Sequence, residues 1–491
     1  MRRSINRTIK KMNRAIPIFL VLAAMSLVSA APKVENVPVQ AADDSRYIVP
    51  EEREAAAILN KNGAQFIVDH GHINAIYLRG VPGVAAKEQI LSQVAVLPRV
   101  GIVVDLWDGA VTADDLRKLA GWHLASLNLG GRKLDAEAFA VLGSMKDLEN
   151  LILAQSSIDN AGVKKLRGLK NLRGLSLQGT AVDDAGLKEL CGLKALRGLG
   201  LEETAIGDEG LATVAEFTHL KSLSLDKTKV TIRGLRHLEQ LTELEYLNLP
   251  MRLTDEGLSH LQNLVKLTQF QGSSIPLRGI SDEGLRSLRR LTKLSHLYVS
   301  GAKVSDNGLK YLAGMKDLGS LELECPGITD AGLATVAELT ALYRLNIMDT
   351  QVTDKGLRLL VALPKLRELY VGPGIGEKCI AVIATMPKLS VLHAIVSCDD
   401  ALIPLKEMRN LSFLGLSNSP ITDAALAHVV KLPNLGNLVL YRTPITDASL
   451  PYLKKLTQLK LLEVRGTDIS GAAISQLRDV LPHTEISWGE P

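Results

Sequence analysis

The sequence predicts an α/β solenoid of about seventeen short coils, each a strand followed by a short helix. Three observations predict it. First, "LRGLSLQGTAVDDAGLKELCGLKA" at 172–195 is rewritten as "LRGLGLEETAIGDEGLATVAEFTH" at 196–219. Leu172, Leu175, Leu177, Gly186, Leu187 and Leu190 return 24 places later as Leu196, Leu199, Leu201, Gly210, Leu211 and Val214. Second, each unit passes from a two-residue apolar period to a three-residue one. Third, aromatics are only 4% of the 491 residues, so the core is aliphatic and leucine supplies it. A fixed period of this length marks a repeat architecture, in which one unit cannot bury its apolar face but stacked copies can.

In chain order, residues 1–30 read as a secretory signal peptide. Arg2, Arg3, Arg7, Lys10, Lys11 and Arg14 precede an apolar run from Ala15 to Ala31 that ends in small residues. Cleavage is expected near Ala30, placing the mature chain in the periplasm, the envelope or the medium. An uncleaved anchor over 15–31 is the alternative and the only expected membrane contact. The leader takes six of the 57 Lys/Arg and none of the 53 Asp/Glu, leaving 51 against 53. The mature chain is nearly neutral, which argues against a nucleic-acid partner.

Residues 31–46 are a polar linker. Residues 47–72 are assigned to an N-terminal cap, in which "PEEREAAAILNKNG" reads as a helix with acids in its first turn and Asn62-Gly63 at its stop. "AQFIVDHGHINAIYL" follows as a hairpin. The repeats occupy 73–469, with fifteen good copies from Leu127 to Leu462 and weaker ones at Ile76 and Val104. In each, a run such as Leu175-Ser176-Leu177 is a strand with one face buried. Leu187, Leu190 and Leu193 then line a helical face, and the Thr/Asp pairs between suit a helix N-cap. Gly186, Gly210, Gly234, Gly257, Gly284, Gly308, Gly332 and Gly356 hold one column where Ala138, Ala425, Ser449 and Ala473 also stand. Alanine and serine resist positive φ, so the column is expected to need small size for close coil packing. Residues 470–491, with "ISQLRDVLPHTEISW", are assigned to a C-terminal cap.

The L-x-x-L-x-L-x-x-T-x-[IV]-T-D-x-G-L pattern of these units resembles the leucine-rich repeat family, most nearly the Thr/Asp/Gly-Leu subtype of bacterial exported proteins such as those of planctomycetes. The resemblance covers about 73–490. It implies a right-handed horseshoe with parallel strands on the concave face and helices on the convex face. Where the family often has Asn, this chain has Thr180, Thr204, Thr228, Thr350, Thr443 and Thr467, or Ser156 and Ser419, whose hydroxyls can still bond loop backbone.

No phosphate-binding, zincin, nucleophile-elbow or dinucleotide motif occurs, so no catalytic residue, metal or cofactor is expected. His70 and His72 lack the clustered partners of a metal site. His296 and His393 stand four coils apart, roughly 19 Å at about 4.8 Å per strand, too far to share an ion. Cys191, Cys325, Cys379 and Cys398 form no Cys-x-x-Cys pair; in an exported chain Cys379 and Cys398 could bridge, and buried free thiols are the alternative.

Residues flanking the inward leucines form three outward columns of about 45 positions, which hold Tyr246, Tyr298, Tyr370, Phe413 and Tyr441, five of the 18 aromatics. Glu202, Asp226, Glu322, Glu324, Glu368 and Arg344 join them, with His296 on the same face. Strand propensity is one explanation and a recognition surface the other, since exposed aromatics and arginine carry much interface energy. The spacing breaks twice, at "QGSSIPLRGIS" beside Phe270 and at "GPGIGEKC" and "SCDDALIP" between Val371 and Leu405, where loops on a rigid scaffold can write specificity. The expected function is non-enzymatic binding of a protein or extended peptide, centred on Tyr298, Glu322, Arg344, Glu368 and Tyr370. A structural envelope protein and a recognition arm of an enzyme complex are the alternatives; ubiquitin-ligase adaptors carry similar repeats, but no F-box is visible here.

Overall fold

The structure, a computed structural model, describes residues 48–69, 72–78, 89–90, 103–105, 111–122, 124–270, 277–301, 303–373 and 378–490. The leader, the linker and most of the two irregular loop tips (271–276 and 374–377) lie outside the described residues. Among those described, no helix is long and apolar enough to cross a membrane. The chain divides into two compact units, Met1–Met251 and Arg252–Pro491.

The first unit opens with a 3-10 turn at Pro50–Glu52, a helix at Arg53–Lys61 and an antiparallel pair, Gln65–Asp69 with His72–Tyr77. The fully buried Glu52 joins helix to hairpin. Its carboxylate accepts the Ile73 N–H at 2.6 Å and lies 2.9 Å from His72 Nδ1. From His72–Tyr77 onward every pairing is parallel and in chain order, through Val103–Asp105, Ser126–Asn128, Asn150–Ile152, Gly174–Ser176, Gly198–Gly200, Ser222–Ser224 and Tyr246–Asn248.

The second unit repeats the plan, from His296–Ser300 through Ser320–Glu324, Arg344–Ile347, Glu368–Val371, Val391–Ala394, Phe413–Gly415, Asn437–Val439 and Leu461–Glu463 to Glu485–Ser487. Part of the stretch expected as a long loop is a strand, because Leu277–Arg278 pairs with Val299–Ser300.

Register follows burial. Leu175, Leu199 and Leu223 are direct partners in successive strands and are at most 1% exposed. A one-residue slip would turn all of them to solvent. The helices are shorter than the sequence pattern suggested. Asp184–Lys188 spans five residues, and Ile232–Gln240 is 3-10 throughout. Leucines three apart fit the three-residue turn of a 3-10 helix, whose side chains at i and i+3 lie in line.

The Thr-Asp-x-Gly signature has two layers of cause. Thr329, Thr353, Thr422 and Thr446 each cap their own helix, the hydroxyl accepting the N–H two residues on. The aspartate just after the cap position, whether that is a threonine or Gly207, reaches into the next coil. Asp208 accepts from the N–H and hydroxyl of Thr231 at 2.8 and 2.7 Å, and Asp330 does the same with Thr353 at 2.7 and 2.6 Å. The small-residue column lies beneath these carboxylates. A Cβ on Gly210, Gly234, Gly332 or Gly356 would overlap the Oδ1 of Asp184, Asp208, Asp306 or Asp330. Where Ala425, Ser449 or Ala473 stands instead, Asp399, Asp423 and Asp447 still reach Thr422, Thr446 and Ser470. Gly210, Gly234, Gly332 and Gly356 have no positive φ, so the column concerns space rather than backbone conformation, and the Ala and Ser coils make room for a Cβ while keeping the bond.

The loop threonines also have partners. Thr180, Thr204, Thr228, Thr350, Thr443 and Thr467 each donate to the carbonyl three residues back at 2.6–2.8 Å. Gln155, Glu203, Lys227, Asn418 and Arg442 adopt positive φ just after their strands, as Gly179 and Gly466 do at matching places. One departure stands out in the first unit. Glu202, expected to point into solvent, is only 9% exposed. Its carboxylate lies over Gly200 and against the Ser224 hydroxyl, neighbours too small to push it outward.

Candidate functional site

The outward strand positions of the second unit form the candidate site. Tyr298, Glu322, Asn346, Tyr370 and His393 are successive direct partners across parallel strands, so the two tyrosines share a column three strands apart. Beside them run His296, Ser320, Arg344, Glu368, Val391 and Phe413. Alternation along each strand sends these side chains out while the leucines go in. All the sequence-predicted site residues are half-buried.

Arg344 is the hub. Its guanidinium lies 3.4 Å from Glu322 and 3.4 Å from Glu368, and 5.0 Å above the Tyr370 ring. The His393 ring stacks on Tyr370 at 4.5 Å and 11°, and Phe413 continues the stack at 4.6 Å and 33°. Strand spacing produces this run, since partners about 4.8 Å apart bring their rings to stacking distance. Gly415 makes room, because a Cβ there would strike the His393 ring. Burial, then the charge of Arg344, lowers the His393 pKa to about 4, so the ring is neutral at pH 7.

Around this stack the other residues make smaller groups. The Tyr298 hydroxyl donates to Glu324, and burial followed by that bond raises its pKa to about 12. His296 lies 3.0 Å from the Tyr343 hydroxyl and 2.8 Å from Ser295 Oγ. Burial, then Arg344, lowers its pKa. Tyr441 has the guanidinium groups of Arg442 and Arg465 at 5.1 and 5.9 Å from its ring, and Glu463 holds Arg465 through two bonds. Tyr246 belongs to the first unit, where burial, then Glu202 and Asp226, raise its pKa.

The structure therefore joins Glu322, Arg344, Glu368 and Tyr370 directly, and brings Phe413 to them through His393. Sequence reasoning gave His393 no binding role; the available signal was its place in the Tyr298–Tyr370 column, one strand beyond Tyr370. Tyr343 was also missed, because it lies just before its strand and meets His296 only in three dimensions.

Among the described residues no group of His, Cys, Asp and Glu could hold a metal ion. His72 is engaged with Glu52, and His70 lies outside the described residues. All four cysteines are free thiols, so the bridge considered for Cys379 and Cys398 is not formed. Burial pushes Cys379 up to about 12 and Cys325 to about 11, which keeps both thiols protonated and unreactive.

The sequence of residues 151–392 matches the family model for the leucine-rich repeat region. The chain is a leucine-rich repeat protein. A leucine-rich repeat protein of Leptospira interrogans has a similar structure, at 20% identity and TM-score 0.53, covering 78% of this chain and 95% of that one. An internalin of Listeria monocytogenes aligns at 18% identity and TM-score 0.44, covering 82% and 92%. The Arabidopsis receptor kinase HAESA ectodomain, solved with an IDA peptide hormone ligand, aligns at 15% identity and TM-score 0.46, covering 90% and 78%. These likenesses are of fold. No curated protein matches the chain. In this leucine-rich repeat protein the parallel strands supply the rigid surface, and the side chains between the leucines supply its chemistry.

Proposed function

We propose that this leucine-rich repeat protein is an exported, non-enzymatic binding protein that takes a protein or extended peptide partner on the strand face of its second unit. The observation that carries the reading is the stack of Arg344, Tyr370, His393 and Phe413. It groups aromatic rings and an arginine on a rigid surface, with Glu322 and Glu368 around them, which is the composition of an interface hot spot with a polar surround. A surface already ordered by its neighbours loses little side-chain freedom on binding. Export rests on the basic, apolar and small-residue leader, and the absence of any catalytic motif in the sequence supports a binding role.

The test is capture from the cell-envelope fraction with the mature chain as bait, beside a Tyr370→Ala/Phe413→Ala variant and a Ser176→Ala variant of the first unit. A partner retained by wild type and Ser176→Ala but lost by the double variant is expected. Equal capture by all three would move the site away from the stack. N-terminal sequencing of the mature protein should begin near Ala31 or Pro32; intact Met1 in a cytoplasmic protein would end the export reading.

A further inference from the structure

We infer that the partner segment is an extended, bipolar stretch of about seven residues. In this assignment it is basic where it crosses Glu322 and Glu324, apolar across Tyr370 and Phe413, and acidic where it reaches Arg442 beside Tyr441. The inference rests on the proposed use of this face and adds the chemistry of what it binds.

Charge gives the ends. On the strands Ser320–Glu324, Arg344–Ile347 and Glu368–Val371, the outward charges are Glu322, Glu324 and Glu368 against Arg344 alone. Arg344 divides itself between two of these carboxylates, and among the described residues Glu324 is bonded only by the uncharged Tyr298 hydroxyl. At the other end Arg465 is neutralised by Glu463. Arg442 stands next to it, exposed, in a left-handed turn with φ 54° that sets its guanidinium near the Tyr441 ring. Between the ends lie Tyr370, Val391, His393, Phe413 and Val439, with no formal charge once His393 is neutral. Five steps from Ser320–Glu324 to Asn437–Val439, at about 4.8 Å each, make roughly 24 Å, the length of about seven extended residues.

The rings indicate which kind of polymer fits. A sugar recognised by an aromatic side chain lies on an open ring face. Tyr370 has Arg344 from the coil before it and His393 from the coil after it, and His393 lies between Tyr370 and Phe413. The faces of Tyr370 and His393 are thereby occupied, which leaves their edges for a ligand. Aliphatic and aromatic side chains of a peptide pack against ring edges; a pyranose gains no stacking there.

The test uses the full mature chain and fluorescein-labelled heptapeptides with blocked termini. They carry lysine at one end, aspartate at the other, and leucine and phenylalanine between, in both chain directions. Controls replace both charged ends by glutamine, or substitute a hexasaccharide of N-acetylglucosamine. One direction of the charged peptide should bind at least tenfold more tightly than the glutamine-ended peptide, and the hexasaccharide should not compete. In a Glu324→Lys/Arg442→Glu protein the preferred direction should reverse. Affinities within threefold for charged and neutral peptides would overturn the inference while leaving peptide binding by this face intact. Binding of the hexasaccharide with no peptide bound would overturn both. If no probe binds, the bipolar assignment fails, and the envelope capture alone decides the broader proposal.

Discussion

Asp306 and Thr329 stand 23 residues apart and are bonded twice, the carboxylate accepting the Thr329 N–H at 2.8 Å and its hydroxyl at 2.6 Å. The same oxygen that takes the N–H occupies the space where a Cβ on Gly332 would lie. One aspartate therefore couples the cap of the next coil to the size of the next small-column residue.

Asp306→Ala should cost about 1–3 kcal/mol, because it strands the Thr329 donors. Gly332→Ala should also destabilise, by crowding Asp306 and Leu309. Together they should cost less than their sum, since removing the carboxylate makes room for the methyl group. Urea unfolding of the three variants measures this, and strict additivity would show that the two residues are not coupled.

Acid should weaken the fold in two windows. The His393 pKa is lowered from 6.5 to about 4 in the native chain. Between those values the unfolded chain takes a proton that the native chain refuses, so stability falls as pH falls through the window. His393→Leu should flatten that slope in urea titrations at pH 7 and pH 4.5. The N–H and hydroxyl of Ser470 hold the Asp447 carboxyl below its usual pKa of 3.8. Its contribution is present above that value and is lost as pH drops below it. Asp447→Asn should blunt only this lower loss.

Glu202 should behave in the opposite sense. Burial, opposed in part by the Ser224 hydroxyl, raises its pKa above 4.5, so the native chain binds a proton more readily than the unfolded chain and stability falls as pH rises through that range. Glu202→Gln should raise the urea midpoint at pH 7 and change it little at pH 4. Leu199→Ala, in the neighbouring inward position, should cost about 2–5 kcal/mol at either pH. A loss of stability in Glu202→Gln at pH 7 would mean that the carboxylate is better paired than the Ser224 hydroxyl and its own backbone N–H suggest.

Tyr298→Ala with Tyr370→Ala should weaken partner binding at least tenfold, about 1.4 kcal/mol. The stability cost should come mainly from Tyr370, whose stacking on His393 is worth about 0.5–1.5 kcal/mol beyond burial. Isothermal titration and thermal unfolding of the single variants separate the effects. A variant that stays folded and binds at full strength would remove these tyrosines from the site.

The period and the inward leucines were legible in the sequence, because burial repeats at fixed spacing and the chain must place Leu175, Leu199 and Leu223 in line to hide them; the parallel strands were implied by the resemblance to leucine-rich repeats. The Tyr298–Tyr370 column followed from the same arithmetic. What occupies the space beside each residue did not follow from it. The small column was readable as a demand for space, but only the fold shows an aspartate carboxylate filling that space. Glu202 reads as a solvent-facing acid until its glycine and serine neighbours leave it lying against the sheet. His393 becomes the middle of a stack because it is the direct partner of Tyr370 and because Gly415 opposite it has no side chain. Repetition along the chain determines which way a side chain points; the side chains in neighbouring coils determine what it meets there, and these vary from coil to coil.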